Sequence, residues 1–233
     1  MKQPETALIV GAGGGLSASL ARLFAKDGMR VAVAARNTAK LAPLVKETGA
    51  LALACDAADP AQVETMFAAV EAKWGVPDLV VYNAGYRVRG PFVGLDPKEV
   101  ERTITVTGYA GFLVAQCAAK RMLARGSGAI LFTGASASVK GYAESAPFAM
   151  GKFALRGLAQ SMARELAPKG IHVAHFVIDG GIARGTGDPR AGERGADGML
   201  LPDEIAKNYL HVYRQHRSAW TWEIELRPWV ERF

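Results

Sequence analysis

The chain has 233 residues, of which 50% are hydrophobic and 21% charged, a balance that excludes a disordered tail, a collagen-like repeat, a coiled coil and a disulfide scaffold. Its length suits one compact α/β domain with a core that needs no metal or disulfide staple. Lys and Arg number 28 against 22 Asp and Glu, a formal charge of +6, yet the basic residues are scattered and lack a base-stacking aromatic motif, which argues against a nucleic acid partner.

In chain order, short apolar runs at 7–10, 30–34, 50–54, 78–82, 129–133, 171–178 and 221–226 read as strands. Longer amphipathic stretches at 16–27, 38–47, 60–73, 97–125, 147–166 and 202–215 read as helices. Most of the strands are continuously apolar, as strands buried on both faces of a parallel sheet should be. Strand–helix–strand order with right-handed crossovers predicts a doubly wound parallel sheet of about seven strands in a single domain, 1–233. The Gly-, Arg- and Asp-rich stretch 180–198 follows the sixth strand and reads as a poorly structured lid over the ligand site. The tail from Trp220 to Trp229 alternates at period two, as an edge strand would.

No apolar run approaches the roughly 18 residues of a membrane span, and Met1-Lys2-Gln3-Pro4-Glu5-Thr6 lacks the apolar core of a signal peptide. A cytoplasmic protein without a membrane partner is expected. Cys55 and Cys117 have no spacing for a zinc site. His172 and His175 stand three apart in a strand and point to opposite faces, while His211 and His216 are expected on the last helix, facing solvent. No metal is expected.

The segment Leu8-Ile9-Val10-Gly11-Ala12-Gly13-Gly14-Gly15-Leu16-Ser17 carries the most information. A strand enters a glycine cluster and leaves as a helix, so the backbone can approach a phosphate and the helix start presents free N–H donors. This context opens a βαβ unit and points to a dinucleotide. The second strand would normally end on an Asp or Glu for the ribose hydroxyls, about 20 residues after the glycines. Here the chain reads Ala35-Arg36-Asn37. A guanidinium that can pair with a 2′-phosphate, and no carboxylate to repel it, favours NADP(H) over NAD(H).

With these residues in view, the chain resembles the short-chain dehydrogenase/reductase family over essentially its whole length, which implies a Rossmann fold. The matching pieces are Gly11 to Leu16, Asp56 after the third strand, Asn83-Ala84-Gly85 after the fourth, Lys152 on the long fifth helix, and Asp179-Gly180-Gly181-Ile182 after the sixth strand. The resemblance implies that Asp56 and Ala57 hold adenine, that Asn83, Ala84 and Gly85 line the cofactor, that Lys152 binds its ribose, and that Ile182 touches the nicotinamide. It also implies a homodimer or homotetramer built on the helices 97–125 and 147–166. Ser17 stands where the family usually has its last Gly.

Family members use an Asn, a Ser, a Tyr and a Lys, with the Tyr giving or taking the proton. Only Lys152 keeps its identity. Phe148 occupies the Tyr position, Ala135 the Ser position and Thr107 the Asn position. Phenylalanine has no proton to give, so the family mechanism cannot run unmodified. Ser136, Ser138, Tyr142 and Tyr86 are the hydroxyls near enough in sequence to substitute, and Ser136 and Tyr142 join Lys152 as candidate catalytic residues. The expected function is NADP(H)-dependent hydride transfer between nicotinamide and a small carbonyl or alcohol, with a non-standard proton donor. The alternative is a non-catalytic NADP(H)-binding sensor or assembly subunit, and the fold alone leaves a lyase or epimerase open as well.

Overall fold

The computed structural model describes residues 3–184 and 188–231. Strands β1 (Thr6–Val10), β2 (Arg30–Ala35), β3 (Leu51–Ala54), β4 (Leu79–Tyr82), β5 (Gly128–Thr133) and β6 (Ile171–Ile178) enter one sheet. The short strands β7 (Gly181–Ile182) and β8 (Met199–Leu200) form a separate pair, and β9 (Glu223–Leu226) returns to the main sheet. The order is β3-β2-β1-β4-β5-β6-β9, with parallel neighbours throughout. The reversal of direction beside β1 is the switch point of a doubly wound sheet, where ligands bind at the strands' carboxyl ends.

Alternate strand residues feed two cores, one on each face. Leu8, Val10, Val80, Tyr82, Ile130 and Phe132 pack with α3 (Pro60–Trp74), α5 (Ala110–Arg125) and α6 (Ala146–Leu166). Ala7, Ile9, Val33, Val81, Leu131 and Phe176 pack with α1 (Leu16–Lys26), α2 (Ala42–Thr48) and α8 (Pro202–Tyr213). Both faces being covered explains why the strands read as unbroken apolar runs. The main sheet has the seven parallel strands expected.

Four local expectations are corrected. The stretch 97–125 is not one helix. It runs as α4 (Pro97–Ile104), a π-helical turn at Thr105–Tyr109, and α5. The reason is close helix packing: a Cβ on Gly151 of α6 would stand 2.8 Å from Thr107 Cβ, and one on Gly108 would stand 3.2 Å from Ala154 Cβ. The β-branched run Thr105-Val106-Thr107 followed by Gly108 has little helix propensity with which to resist that widening. The segment 38–47 begins with a 3₁₀ turn at Ala39–Leu41, and α2 starts only at Ala42, with Pro43 in its first turn. His216 lies beyond the end of α8 and caps the turn Arg217–Ala219, accepting from the Ser218 amide.

The stretch 180–198 is more ordered than its composition suggests. It contains β7 and the short helix α7 (Arg190–Arg194), and ends where β8 begins. Asp188 organises it, accepting from the Arg184 amide at 3.0 Å and from the Arg190 guanidinium, which also reaches the Ile182 carbonyl at 2.8 Å. Residues 185–187 of the expected lid lie outside the described residues. Among the described residues no helix is long and apolar enough to cross a membrane. The edge strand β9 is fixed to α6 by a bidentate pair from Arg156 to Glu223, at 2.6 and 2.7 Å. Trp220 stacks on His172 with ring centroids 4.7 Å apart.

Candidate active site

Two cavities meet at the carboxyl ends of the central strands and share Asn83 and Gly85. The first, about 300 Å³, lies between the turns after β1, β2, β3 and β4 and gathers Gly11, Arg36, Asp56, Ala57, Asn83, Ala84 and Gly85. All seven are residues that the sequence pattern or the family resemblance assigned to the cofactor. The cavity also takes in Lys40, which sequence reading missed. Its signal was available, since Lys40 stands four positions after Arg36 and the intervening turn brings it back to the same rim.

The glycine turn has two halves with different reasons for glycine. Gly11 has a φ of 87°, and a Cβ there would lie 2.4 Å from the Ala84 amide nitrogen, so this position admits no side chain. At Gly13, Gly14 and Gly15 a Cβ would meet nothing within 4 Å, which leaves an open backbone face. The Gly11 and Ala12 amides both donate to the Ala34 carbonyl, at 3.0 and 2.9 Å. Among the described residues the amides of Gly13, Gly14 and Leu16 have no such carbonyl partner, and α1 begins at Leu16. This arrangement fits a pyrophosphate.

Ser17 does more than fit. Its hydroxyl donates to the Gly11 carbonyl at 3.1 Å and accepts from the Asn83 side-chain amide at 2.7 Å. The Asn83 backbone amide in turn bonds the Val10 carbonyl at 2.8 Å. The departure from glycine therefore ties the two turns together through a buried hydroxyl.

The second cavity, about 500 Å³, is lined by Asn83, Gly85, Tyr86, Arg87, Gly134, Ala135, Ser136, Ala137, Tyr142, Phe148, Lys152, Ile178, Gly180, Ile182 and Arg184. It thus brings together Lys152, Ser136 and Tyr142, with Phe148 and Ala135 in the family's Tyr and Ser positions. Thr107, the Asn counterpart, is fully buried and lies outside the lining. Its hydroxyl instead exchanges hydrogen bonds with the Tyr86 backbone, at 3.3 and 3.4 Å.

The substitute hydroxyls separate clearly. Ser138 is buried, and its Oγ accepts from the Ala135 amide at 3.1 Å, so it serves the loop. The Tyr86 hydroxyl donates to Glu99 on α4 at 2.6 Å, and that bond holds its proton more tightly than usual. Neither is available to a substrate. Ser136 is half-buried on the cavity wall. Tyr142 is 41% exposed, with the Lys140 ammonium 5.7 Å from its ring centre, and the nearby tyrosine hydroxyl raises the lysine's pKa. Lys140 also faces the buried Asp179 at 3.7 Å.

Lys152 is buried, and its amine donates to the Thr133 carbonyl at 2.6 Å. It lies 3.9 Å from where a Gly85 Cβ would stand, so it reaches the Asn83–Gly85 turn. The Thr133 hydroxyl is itself held by Tyr209 at 2.8 Å. Burial pushes the amine from its ordinary value near 10.5 down to about 8, because an ammonium loses hydration there.

The model of the short chain dehydrogenase family matches residues 5–185. A D-threitol dehydrogenase of Mycolicibacterium smegmatis is 29% identical over 174 residues, covering 72% of this chain and 67% of that protein. A solved short-chain dehydrogenase from Rhodopseudomonas palustris is 36% identical, with a TM-score of 0.85 over 98% of this chain and 100% of its own. A metagenomic short-chain oxidoreductase solved with NADP is 27% identical, with a TM-score of 0.83 over 96% of this chain and 97% of its own.

The depressed Lys152 value carries a stability consequence whose sign is fixed. Below pH 8 folded and unfolded chains both hold the proton, and the full cost of burying the charge opposes folding. Between pH 8 and 10.5 the fold sheds the proton while the unfolded chain keeps it, so stability rises. Lys152→Met is expected to be more stable than the parent at pH 7 by on the order of 3 kcal/mol, with the gap closing toward pH 10.5 in urea titrations. A gap that does not change with pH would contradict this.

Proposed function

Because the chain belongs to the short chain dehydrogenase family and so to the oxidoreductases, we propose that it is an NADP(H)-dependent enzyme acting on a small carbonyl or alcohol, with a proton donor other than the usual phenol. The observation that carries the cofactor half is the pairing of Arg36 and Lys40 on the rim of the first cavity, with no carboxylate at the end of β2. Two cations there suit the dianionic 2′-phosphate that distinguishes NADP from NAD. Gly13, Gly14, Gly15 and Leu16 would take the pyrophosphate, Asp56 and Ala57 the adenine, Asn83 to Gly85 and Lys152 the nicotinamide ribose, and Ile182 the nicotinamide amide. The bound nucleotide supplies or accepts the hydride.

The chain's own residues must then stabilise and protonate the oxygen that gains charge. Tyr142 is the residue we assign to the proton. The Lys140 ammonium lies 5.7 Å from the centre of its ring, near enough for its charge to accompany the proton transfer. Ser136 would orient the substrate oxygen from the facing wall, since it lies beside Ala135, where the usual serine is missing. Lys152 contributes by holding ribose and by its positive charge next to the reacting centre. The exposed apolar side chains of Tyr109, Phe112, Met150 and Phe153 on α5, α6 and the turn before α5 support packing of a second copy there.

A second reading, a non-catalytic NADP(H)-binding subunit, rests on Phe148 and on the loss of the serine and asparagine. The two readings differ in turnover. Purified protein should bind NADPH at least about tenfold more tightly than NADH, and Arg36→Ala should remove most of that preference in fluorescence titrations. Equal affinities would overturn the NADP assignment. In a panel of aldehydes and ketones with NADPH, Tyr142→Phe is expected to lower the rate by about 100-fold, whereas Phe148→Tyr should raise it by about tenfold or more. Silence of the parent and of Phe148→Tyr across the panel would favour the subunit instead.

A further inference from the structure

The charges around the second cavity go beyond what hydride transfer requires. Arg87, Lys152 and Arg184 all line it, and no Asp or Glu does. Arg87 sits on the loop after β4, with its guanidinium 5.0 Å from the centre of the Phe148 ring, and the Lys152 amine is 5.6 Å from the same centre. The ring that replaces the catalytic phenol is thus flanked by two cations. Lys152 is buried and Arg87 is exposed, and the Arg87 guanidinium is weakened as a base by partial burial and by the neighbouring charge of Arg89.

Several acids around the cavity are committed elsewhere. Asp188 is held by Arg190 and by the Arg184 backbone amide. Glu99 is held by Tyr86 and Arg102. Asp179 pairs with Lys140 and Arg227, and Glu231 with Arg194. Among the described residues no ion pair to a carboxylate satisfies the guanidinium of Arg87 or Arg184. Cations without a carboxylate partner on the wall of a concave site favour an anion, because a guanidinium makes charge-assisted, bidentate hydrogen bonds to a carboxylate. Ala135, Ala137, Phe148, Ile178 and Ile182 give the wall apolar stretches beside the hydroxyls of Ser136 and Tyr142.

We infer that the substrate of this cavity carries a carboxylate, held by Arg87 and Arg184, on a short apolar chain that also bears the reacting carbonyl or alcohol. This rests on the proposed oxidoreductase reading for the reaction, but the anion site itself does not need the nucleotide to be tested.

Calorimetric titration of the protein with levulinate and with benzoylformate, each against its methyl ester, decides it. The experiment is run both with and without saturating NADP. At low ionic strength each acid that binds should do so about tenfold more tightly than its ester, and added salt should erase the difference. Arg87→Met and Arg184→Met should each weaken acid binding about fivefold and leave the ester unchanged. Lys169→Met, in the turn before β6 and outside the lining, should alter neither. Acid and ester binding equally, or neither acid binding in either condition, overturns the anion site. Loss of NADP binding with the acid preference intact would instead overturn the nucleotide reading alone.

Discussion

Gly11 stands so near Ala84 that a single methyl group at its α-carbon would lie 2.4 Å from the Ala84 amide nitrogen. That contact sets how closely the turns after β1 and β4 approach, and both candidate cavities are consequences of it. The positive φ of Gly11 turns the chain at the end of β1, and the open backbone of Gly13, Gly14 and Gly15 follows. Ser17 and Asn83 then lock the approach with two hydrogen bonds through one buried hydroxyl. The open backbone face of the glycine turn and the wall of the second cavity are therefore one assembly. Van der Waals exclusion and buried hydrogen bonds hold it in the interior of a doubly wound sheet.

The two halves of the cleft differ in how they depart from the family pattern. The nucleotide half keeps its turn geometry and adds cations at Arg36 and Lys40. The half proposed for catalysis carries Phe148, Ala135 and Thr107 at the positions expected for the family's Tyr, Ser and Asn, yet it remains a furnished cavity. Its furniture is basic, with Arg87, Lys152 and Arg184 around the Phe148 ring. A lysine–tyrosine pair persists in a new place, at Lys140 and Tyr142. Thr107 keeps the backbone of Tyr86 in position from its π-helical turn, a structural task that needs only a hydroxyl.

Much of this was legible before any coordinates, for identifiable reasons. Strands buried on both faces leave unbroken apolar runs, so β1, β4, β5 and β6 were found within a residue or so. The glycine cluster and Asn83-Ala84-Gly85 marked the cleft because close backbone approach restricts residue type strongly. What stayed hidden depended on neighbours distant in sequence. The break of the helix at Thr105–Tyr109 follows from Gly151 pressing on Thr107 across the α6 contact, which no local pattern records. Ser138 and Tyr86 looked as available as Ser136 and Tyr142 until the Ala135 amide and Glu99 were seen to occupy them. The Gly- and Arg-rich stretch 180–198 looked unstructured because its order comes from one carboxylate, Asp188, bridging Arg184 and Arg190.

Diffraction from crystals soaked in NADP addresses the central claim with least intervening inference. The account requires continuous nucleotide density along the glycine turn, its extra phosphate between the side chains of Arg36 and Lys40 and its ring beside Asn83 to Gly85. An empty cleft at saturating nucleotide, or density whose phosphates sit away from the start of α1, would contradict it.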